Sequence, residues 1–595
     1  MAAGGAAGGA AGGRAAAAGA PRRTCLCCAA VPAAAAAAAA TDARRRPWAG
    51  GAAAAAAATA AAVLLAVVAA AVVPQPAAGQ GLNNAPHARW TDVTASAGLS
   101  MRASTKWGGA LISDLDGDGW YDLVLNNHDQ TNLMLYWNNR RGGFVRGRDP
   151  LPPAFVRAPD PLAFLIDAHG LTAGDIFLNG ASDFVVMQGG ANGNQPATPR
   201  LLRSSGRSRR LRQVQRATGL EADTGGRGRT PLLVDLDGDG DLDLILLNYV
   251  VPAGAPGPRQ RVYENVGGRY VRRQNTGLEN ANVERAILTD FNGDGRMDVV
   301  AFPFFRLYQA TGNFKFADVT NRWMARVPNR GLVGRNVWAA AELDANGDGR
   351  WDLYLAKNGA RDAVLLNVNN AYFVLGPLTG FAASSRGHVD VTVGDFNNDG
   401  AVDVFLSYAA TPRNGIARAR EDVLLTNGPG TNFTLTVSHG ANQVSAAAGD
   451  SVQAFDYNRD GRLDLLVGAG DEVVGRGPLG TWALFANTIR PASAGGAHWL
   501  LVSVGRSPNR RAAATNAVLR VTAVFPNGSG ARTFLRRVGG AGGSGTTDDL
   551  RVVHFGLGGR ARVTRLTVRW SDGRSDCLCP TSGVAEVALP TDLGE

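Results

Sequence analysis

The sequence predicts an all-β protein, a seven-bladed β-propeller followed by a small β-rich C-terminal domain. Three observations predict it: an acidic nonapeptide that returns at nearly constant intervals, strand-like runs on both sides of each copy, and 77 glycines to serve many turns. A chain of 595 residues is too long for one compact core and suits several domains or one large repetitive unit. Hydrophobic residues make up 45%, enough to supply such a core and to exclude global disorder.

The nonapeptide reads DLDGDGWYD at 114–122, DLDGDGDLD at 235–243 and DFNGDGRMD at 290–298. It returns as DANGDGRWD at 344–352, DFNNDGAVD at 395–403 and DYNRDGRLD at 456–464, with a decayed copy, DIFLNGASD, at 175–183. Successive copies start 61, 60, 55, 54, 51 and 61 residues apart. One supersecondary unit per 50–60 residues means a solenoid, an array or a propeller.

The loop carries hard-cation chemistry. Oxygens at positions 1, 3, 5 and 9 converge around the turn that Gly at position 6 permits, and the carbonyl at position 7 completes a shell at roughly 2.3–2.6 Å, a Ca2+ distance. The candidate ligands are Asp114, Asp116, Asp118 and Asp122; Asp235, Asp237, Asp239 and Asp243; and Asp290, Asn292, Asp294 and Asp298. The later copies offer Asp344, Asn346, Asp348 and Asp352; Asp395, Asn397, Asp399 and Asp403; and Asp456, Asn458, Asp460 and Asp464. The backbone carbonyls are those of Trp120, Asp241, Arg296, Arg350, Ala401 and Arg462. Left empty, two carboxylates about 4 Å apart repel by about 4 kcal/mol at an effective dielectric of about 20. In the decayed copy Phe177 and Asn179 replace two ligands, so that site is expected to be weak or empty.

Position 12 excludes an EF-hand, which needs a bidentate Glu there. The six intact copies have Leu125, Leu246, Ala301, Leu355, Leu406 and Val467. Instead, the ninth-position Asp opens an apolar run such as DLILLNY, and PLLV or VTVG leads in, so the loop joins two strands as a hairpin. A third strand follows, often ending in Asn, and a fourth precedes the next loop. Four strands in each of seven units predict seven blades over residues 80–486. WTDVT at 90–94 has no blade of its own and is expected to pair near 456–488, closing the ring without an open edge.

Residues 1–51 are an Ala/Gly leader that cannot specify a packed fold. Residues 52–79 hold an uncharged apolar stretch, 52–73, preceded by Arg44, Arg45 and Arg46 and followed by small residues. That pattern is a secretory signal or signal anchor, and the Arg-rich, acid-poor leader also fits a route to the thylakoid lumen. The formal charge of +10 rests on 57 Arg and three Lys, with no zinc module or aromatic-basic motif beside it, so nucleic-acid binding is not expected. Membrane association is expected only through an N-terminal anchor.

These hairpins resemble the FG-GAP/VCBS repeat family of integrin-like propellers. HWLLVSVGRSPNRRAAATNAVLRVTAVF at 498–525 and HFGLGGRARVTRLTVRWSDG at 554–573 are similar to the ASPIC/UnbV domain, assigned here to residues 487–595. The pairing resembles the cartilage acidic protein family, over about residues 88–590. The resemblance implies calcium binding, extracytoplasmic placement and an adhesive or matrix role. The chain departs from the family in being basic and in having Asn516 and Ala517 where a Gly-Ala step is usual.

Arg200–Arg216 holds seven Arg and reads as a solvated outer strand or a patch for a polyanion. Asn432 and Asn527 begin glycosylation sequons, relevant if the chain is secreted. Cys577 and Cys579 have neither zinc nor redox spacing and leave open a local disulfide or two thiols. No catalytic motif is present among the seven His or elsewhere, and His554 is expected to pack or hydrogen-bond. The expected function is therefore calcium-dependent recognition or adhesion of an extracellular protein or glycan. The competing expectation is a carbohydrate-active enzyme, a glycosidase or lyase, on the same scaffold.

Overall fold

Each acidic hairpin joins the first two strands of an antiparallel sheet, as its flanking apolar runs require. The structure, a computed structural model, describes residues 89–588 apart from connecting segments, the longest being 149–167, 250–259, 378–387, 409–421 and 471–480. The leader and apolar run (1–79), Cys579 and Asn527 lie outside the described residues.

Sheet 1 runs from Leu111–Ser113 through Asp122–Leu125 and Met134–Asn138 to Phe144–Arg146. Sheets 2 to 6 repeat this order, starting with Ala168–Gly174, Gly228–Val234, Arg285–Thr289, Val337–Leu343 and His388–Gly394. Their fourth strands are Leu211–Gln213, Tyr270–Arg273, Lys315–Asp318, Tyr372–Leu375 and Thr434–Thr436. Sheet 7 has three strands from its own stretch, Ala448–Phe455, Asp464–Gly470 and Trp482–Asn487; its fourth is Trp90–Asp92, with Trp90 opposite Asn487. The N-terminal strand thus completes the last sheet, as expected.

Burial falls from the first strand to the fourth. Gly228–Val234 is buried throughout, whereas Tyr270–Arg273 buries only its first residue. Inner strands lie between two neighbouring sheets, so both of their faces are apolar. Seven hydrophobic clusters fill the spaces between successive sheets, for example Leu232, Ile245 and Val262 with Leu288 and Val299. The succession returns on itself, because Leu466, Trp482 and Leu484 of sheet 7 pack with Ile112, Leu123 and Tyr136 of sheet 1.

The tail forms two further sheets. Ala497–Ser503, Val552–Gly559 and Glu586–Ala588 make one; Val518–Val524, Ala531–Arg537, Arg562–Arg569 and Ser575–Leu578 make the other. A single cluster around Val502, Leu519, Val521, Phe555 and Val568 unites them. Asn516 has φ 65°, the left-handed region that Gly and Asn tolerate best, so the departure from Gly keeps the backbone. Its amide also donates to the Leu233 carbonyl at 2.9 Å. Cys577 is disulfide-bonded, which removes the two-thiol alternative for that residue.

The tail also reaches into the ring. Gly542 and Gly543 pair with Ala341 and Ala340 on the first strand of sheet 5. Thr547 and Asp549 bridge in parallel to Thr172 of sheet 2 and Ser113 of sheet 1. Asp548 accepts from the Ile112 N–H at 2.8 Å and from the Gln453 amide of sheet 7 at 3.1 Å. Glycine is required here: a Cβ on Gly542 would lie 2.9 Å from the Val391 carbonyl of sheet 6 and 2.7 Å from the Ala341 side chain. The first strands of five sheets therefore converge on residues 542–549.

Candidate metal centres

Within each hairpin the carboxylates first organise their own backbone. Asp114 accepts from the N–H groups of Asp118 and Gly119 at 3.0 and 2.8 Å, and Asp118 accepts from Trp120 at 2.8 Å. Asp344, Asp395 and Asp456 repeat the first pattern. Gly at position 6 has positive φ in every intact copy, 76–100°.

These bonds turn successive oxygens toward one point. One oxygen each of Asp114, Asp116 and Asp122 lie within 4.8 Å of one another, as do those of Asp235, Asp237 and Asp239. Asp290 Oδ1, Asp298 Oδ2 and Asp241 Oδ1 are buried with no hydrogen-bond partner. An orphaned buried carboxylate oxygen costs stability unless a cation meets it. Both acidic clusters can hold a metal ion. In the other intact hairpins Asn292, Asn346, Asn397 and Asn458 stand at position 3 and turn their amide N–H toward the fifth-position carboxylate.

Burial is the chief electrostatic cause here, reinforced by the neighbouring carboxylates. It pushes Asp114 and Asp456 up to about 7 and Asp235 and Asp344 up to about 6. Asp243, Asp298 and Asp352 rise to about 8, and Asp122, Asp403 and Asp464 stand well above the carboxylate range. Without a cation, these groups resist ionisation near neutral pH.

The ninth-position Asp has a second duty that the sequence reading missed. Asp243 accepts from the Leu236 N–H at 2.7 Å and from Asn265 N–H, on the third strand, at 2.8 Å. Asp352, Asp403 and Asp464 brace their hairpins in the same way. So does Asp183 of the decayed copy, which explains an Asp retained where the metal ligands are lost.

At that decayed hairpin, guanidinium groups from the tail occupy the loop. Arg551 donates to the Gly180 carbonyl and to Ser182 Oγ, both at 2.9 Å, and pairs with Asp549 at 2.8 Å. Arg506 donates to the Leu178 carbonyl at 2.5 Å, while Phe177 lies under the Arg203 guanidinium, 4.3 Å from its ring centre. Phe177 and Asn179 stand at the third and fifth positions of this loop, where the intact copies have acidic or amide ligands.

The tail also contacts hairpins one, three, six and seven. Tyr121 donates to the Val552 carbonyl at 3.1 Å, and His554 Nε2 lies 3.1 Å from the Gly461 carbonyl. Burial lowers His554 to about 3, so it is a neutral packing group. A Cβ on Gly240 would meet the Arg511 carbonyl at 2.5 Å, and one on Gly400 would meet the Phe534 ring at 3.2 Å. At Gly240, Gly295, Gly400 and Gly461 the position-6 glycine thus serves the turn and the docking of the tail together. Asn432 is exposed beside the fourth strand of sheet 6.

Residues 235–301 and 344–406 match the family described as FG-GAP-like repeat, and residues 505–587 match the one described as ASPIC and UnbV. The chain carries FG-GAP-like repeats followed by an ASPIC/UnbV domain. The FG-GAP-like matches span hairpins three to six, and such repeats imply a propeller. No curated protein matches the chain. Similar solved structures include an Agrocybe aegerita lectin described as recognising non-reducing terminal N-acetylglucosamine, with 16% identity over 56% of this chain and 80% of that one, at a TM-score of 0.38. The V. cholerae biofilm matrix protein Bap1 shares 14% over 83% of this chain and 63% of its own, at 0.28. AofleA from Arthrobotrys oligospora shares 9% over 65% and 88%, at 0.29. Those scores are too low to bear on function.

Proposed function

We propose that this FG-GAP and ASPIC/UnbV chain is an extracytoplasmic recognition or adhesion protein, a seven-bladed propeller that holds structural Ca2+ in its six intact hairpins. The observation that supports this reading is the burial of the hairpins' paired carboxylates: in five of the six intact copies the first- and ninth-position Asp are both buried, where an ion serves the fold rather than a substrate. Asp114, Asp116 and Asp122, and Asp235, Asp237 and Asp239, are the best-formed ligand sets. The ion would offset the mutual repulsion of these converging carboxylates.

A recognition role follows from FG-GAP repeats being typical of extracellular proteins, and the disulfide at Cys577 suits an oxidising compartment. Among the described residues no helix is long and apolar enough to cross a membrane, and the candidate signal or anchor at 52–73 lies outside them. The reading is of a secreted or membrane-anchored protein, with the thylakoid lumen as the alternative route. Insertion of residues 542–549 among the inner strands weighs against a carbohydrate-active enzyme with its chemistry at that end of the propeller axis. A glycan array and pulldown with residues 80–595, in millimolar Ca2+, tests the reading. Specific capture of a glycan or surface protein supports it; turnover of a glycan without retention would replace it with the enzyme.

A further inference from the structure

The charge of this protein is distributed unevenly around its sheets. The third and fourth strands of sheets 1 to 3, with their turns and flanking residues (134–148, 200–216 and 261–273), carry fifteen Arg and one acid, Glu264. The corresponding strands of sheets 5 to 7 (363–375, 423–436, 482–487 with 90–92) carry no basic residue and one acid, Asp92. Sheet 4 lies between these extremes, with Arg306, Lys315 and Asp318 on its two strands.

Edge strands often carry charge to prevent pairing with another chain. That need applies equally to every outer strand, yet Tyr372–Leu375 and Thr434–Thr436 have no charge. Edge protection therefore does not account for three neighbouring basic sheets. Nor does the metal chemistry: Arg140 and Arg209 sit 2.7 Å from Asp118 and Asp116, but six others do not pair with the hairpin carboxylates. Arg141 on sheet 1, Arg207, Arg210 and Arg212 on sheet 2, and Arg269 and Arg272 on sheet 3 are all exposed. Among the described residues none of these six guanidinium groups forms an ion pair or hydrogen bond.

We propose that the outer edge of sheets 1 to 3 is a docking face for a linear acidic polysaccharide, held through its carboxylate or sulfate groups. This inference rests on the recognition role proposed above and names the partner. Arginine suits it because the planar guanidinium meets such oxyanions through two parallel hydrogen bonds. A run of cations along three successive sheets matches a repeating anion better than a single charged ligand. Nucleic acid fits less well, since single-stranded recognition needs exposed aromatic rings for the bases. The large apolar side chains exposed on these strands are Val145, Val266 and Val271, with no aromatic among them. The same lack of an exposed Trp or Phe disfavours a bilayer.

The test uses the 80–595 chain in Ca2+, with immobilised heparin and polygalacturonate as sulfate and carboxylate probes. Duplex DNA and phosphatidylserine vesicles are the other two arms. The native chain should bind at least one polysaccharide at about 0.15 M NaCl, the ionic strength at which isolated surface charges are screened beyond about 8 Å. R207Q/R210Q/R212Q should weaken that binding at least tenfold with an unchanged melting temperature. A control with the same charge loss elsewhere, R322Q/R330Q/R335Q, should bind as the native chain does. Equal weakening by both variants, or equal retention on DNA or vesicles, overturns the docking face. If the array finds a ligand that both variants bind normally, the docking face is wrong and the recognition reading survives. If neither the array nor the polysaccharides retain the native chain, both fall.

Discussion

The side-chain amide of Asn138, at the end of the third strand of sheet 1, donates to the backbone carbonyl of Tyr457 in the hairpin of sheet 7 at 3.1 Å. The two residues are 319 apart in sequence. Equivalent bonds run from Asn367 to Phe291, Asn427 to Ala345 and Asn487 to Phe396, at 2.7–2.9 Å, and Ser204 plays the part toward Leu115. Each ties a third strand to the second residue of the preceding hairpin. Removing Asn138 leaves a buried carbonyl unsatisfied, a loss of about 1–3 kcal/mol. Asn138→Ala should lower the urea midpoint accordingly and speed proteolysis of sheets 1 and 7 before the others. A midpoint equal to the native value would remove the bond from the account of ring closure.

Chelation should destabilise the whole ring. Each occupied hairpin adds RT ln(1 + [Ca]/Kd), about 2.7 kcal/mol at a hundredfold excess of ion. Scanning calorimetry should show a large fall in melting temperature in EGTA, and metal analysis should return about six ions per chain, one for each intact hairpin. Seven ions would mean that the decayed hairpin binds despite Phe177. Unchanged melting in EGTA would remove structural calcium.

Without calcium, stability should fall as pH rises. Asp114 and Asp456 move from an ordinary 3.8 to about 7, and Asp243, Asp298 and Asp352 to about 8, chiefly through burial. Between pH 4 and 8, then, the folded chain holds more protons than the unfolded one, and raising pH favours unfolding. Melting in EGTA should drop from pH 5 to pH 8, while saturating Ca2+ should flatten or reverse the trend. A melting temperature that climbs with pH in EGTA contradicts this assignment.

Variants at hairpins two and three should differ in their dependence on calcium. Asp235→Ala should destabilise sheet 3 in Ca2+ and matter far less in EGTA, because it removes an ion's ligand. Arg551→Gln should destabilise by a similar amount in both buffers, because its bonds to Gly180, Ser182 and Asp549 need no metal. Leaving Asp549 buried without its partner costs on the order of 3 kcal/mol or more. An Arg551→Gln effect that disappears in EGTA would show that this hairpin binds an ion after all.

The repeat made the sheets legible, since each Asp-rich hairpin is flanked by apolar runs that can only be buried strands. Trp90–Asp92 was legible as well, as a strand without a sheet. What the sequence concealed were the long-range partners. The Asn that ends many third strands is visible at 138, 265, 367 and 487, but its acceptor belongs in most cases to the neighbouring sheet and no local pattern points to it. Arg551 looks like any exposed Arg until folding brings it to Gly180, 371 residues away. At Gly542, only the approach of Ala341 and Val391 on the inner strands shows why a side chain is excluded.

The insertion of residues 542–549 also orders assembly in time. During synthesis Trp90–Asp92 emerges first, and its partner strand, Trp482–Asn487, follows almost 400 residues later. The Gly-rich segment that contacts the inner strands comes later still. The centre of the ring is therefore finished by the end of the chain, and contacts of such sequence separation make folding slow. For the exported protein proposed above, that delay would have a use: the chain would stay unfinished, and so able to thread through a channel, until its C-terminal keystone arrived on the far side.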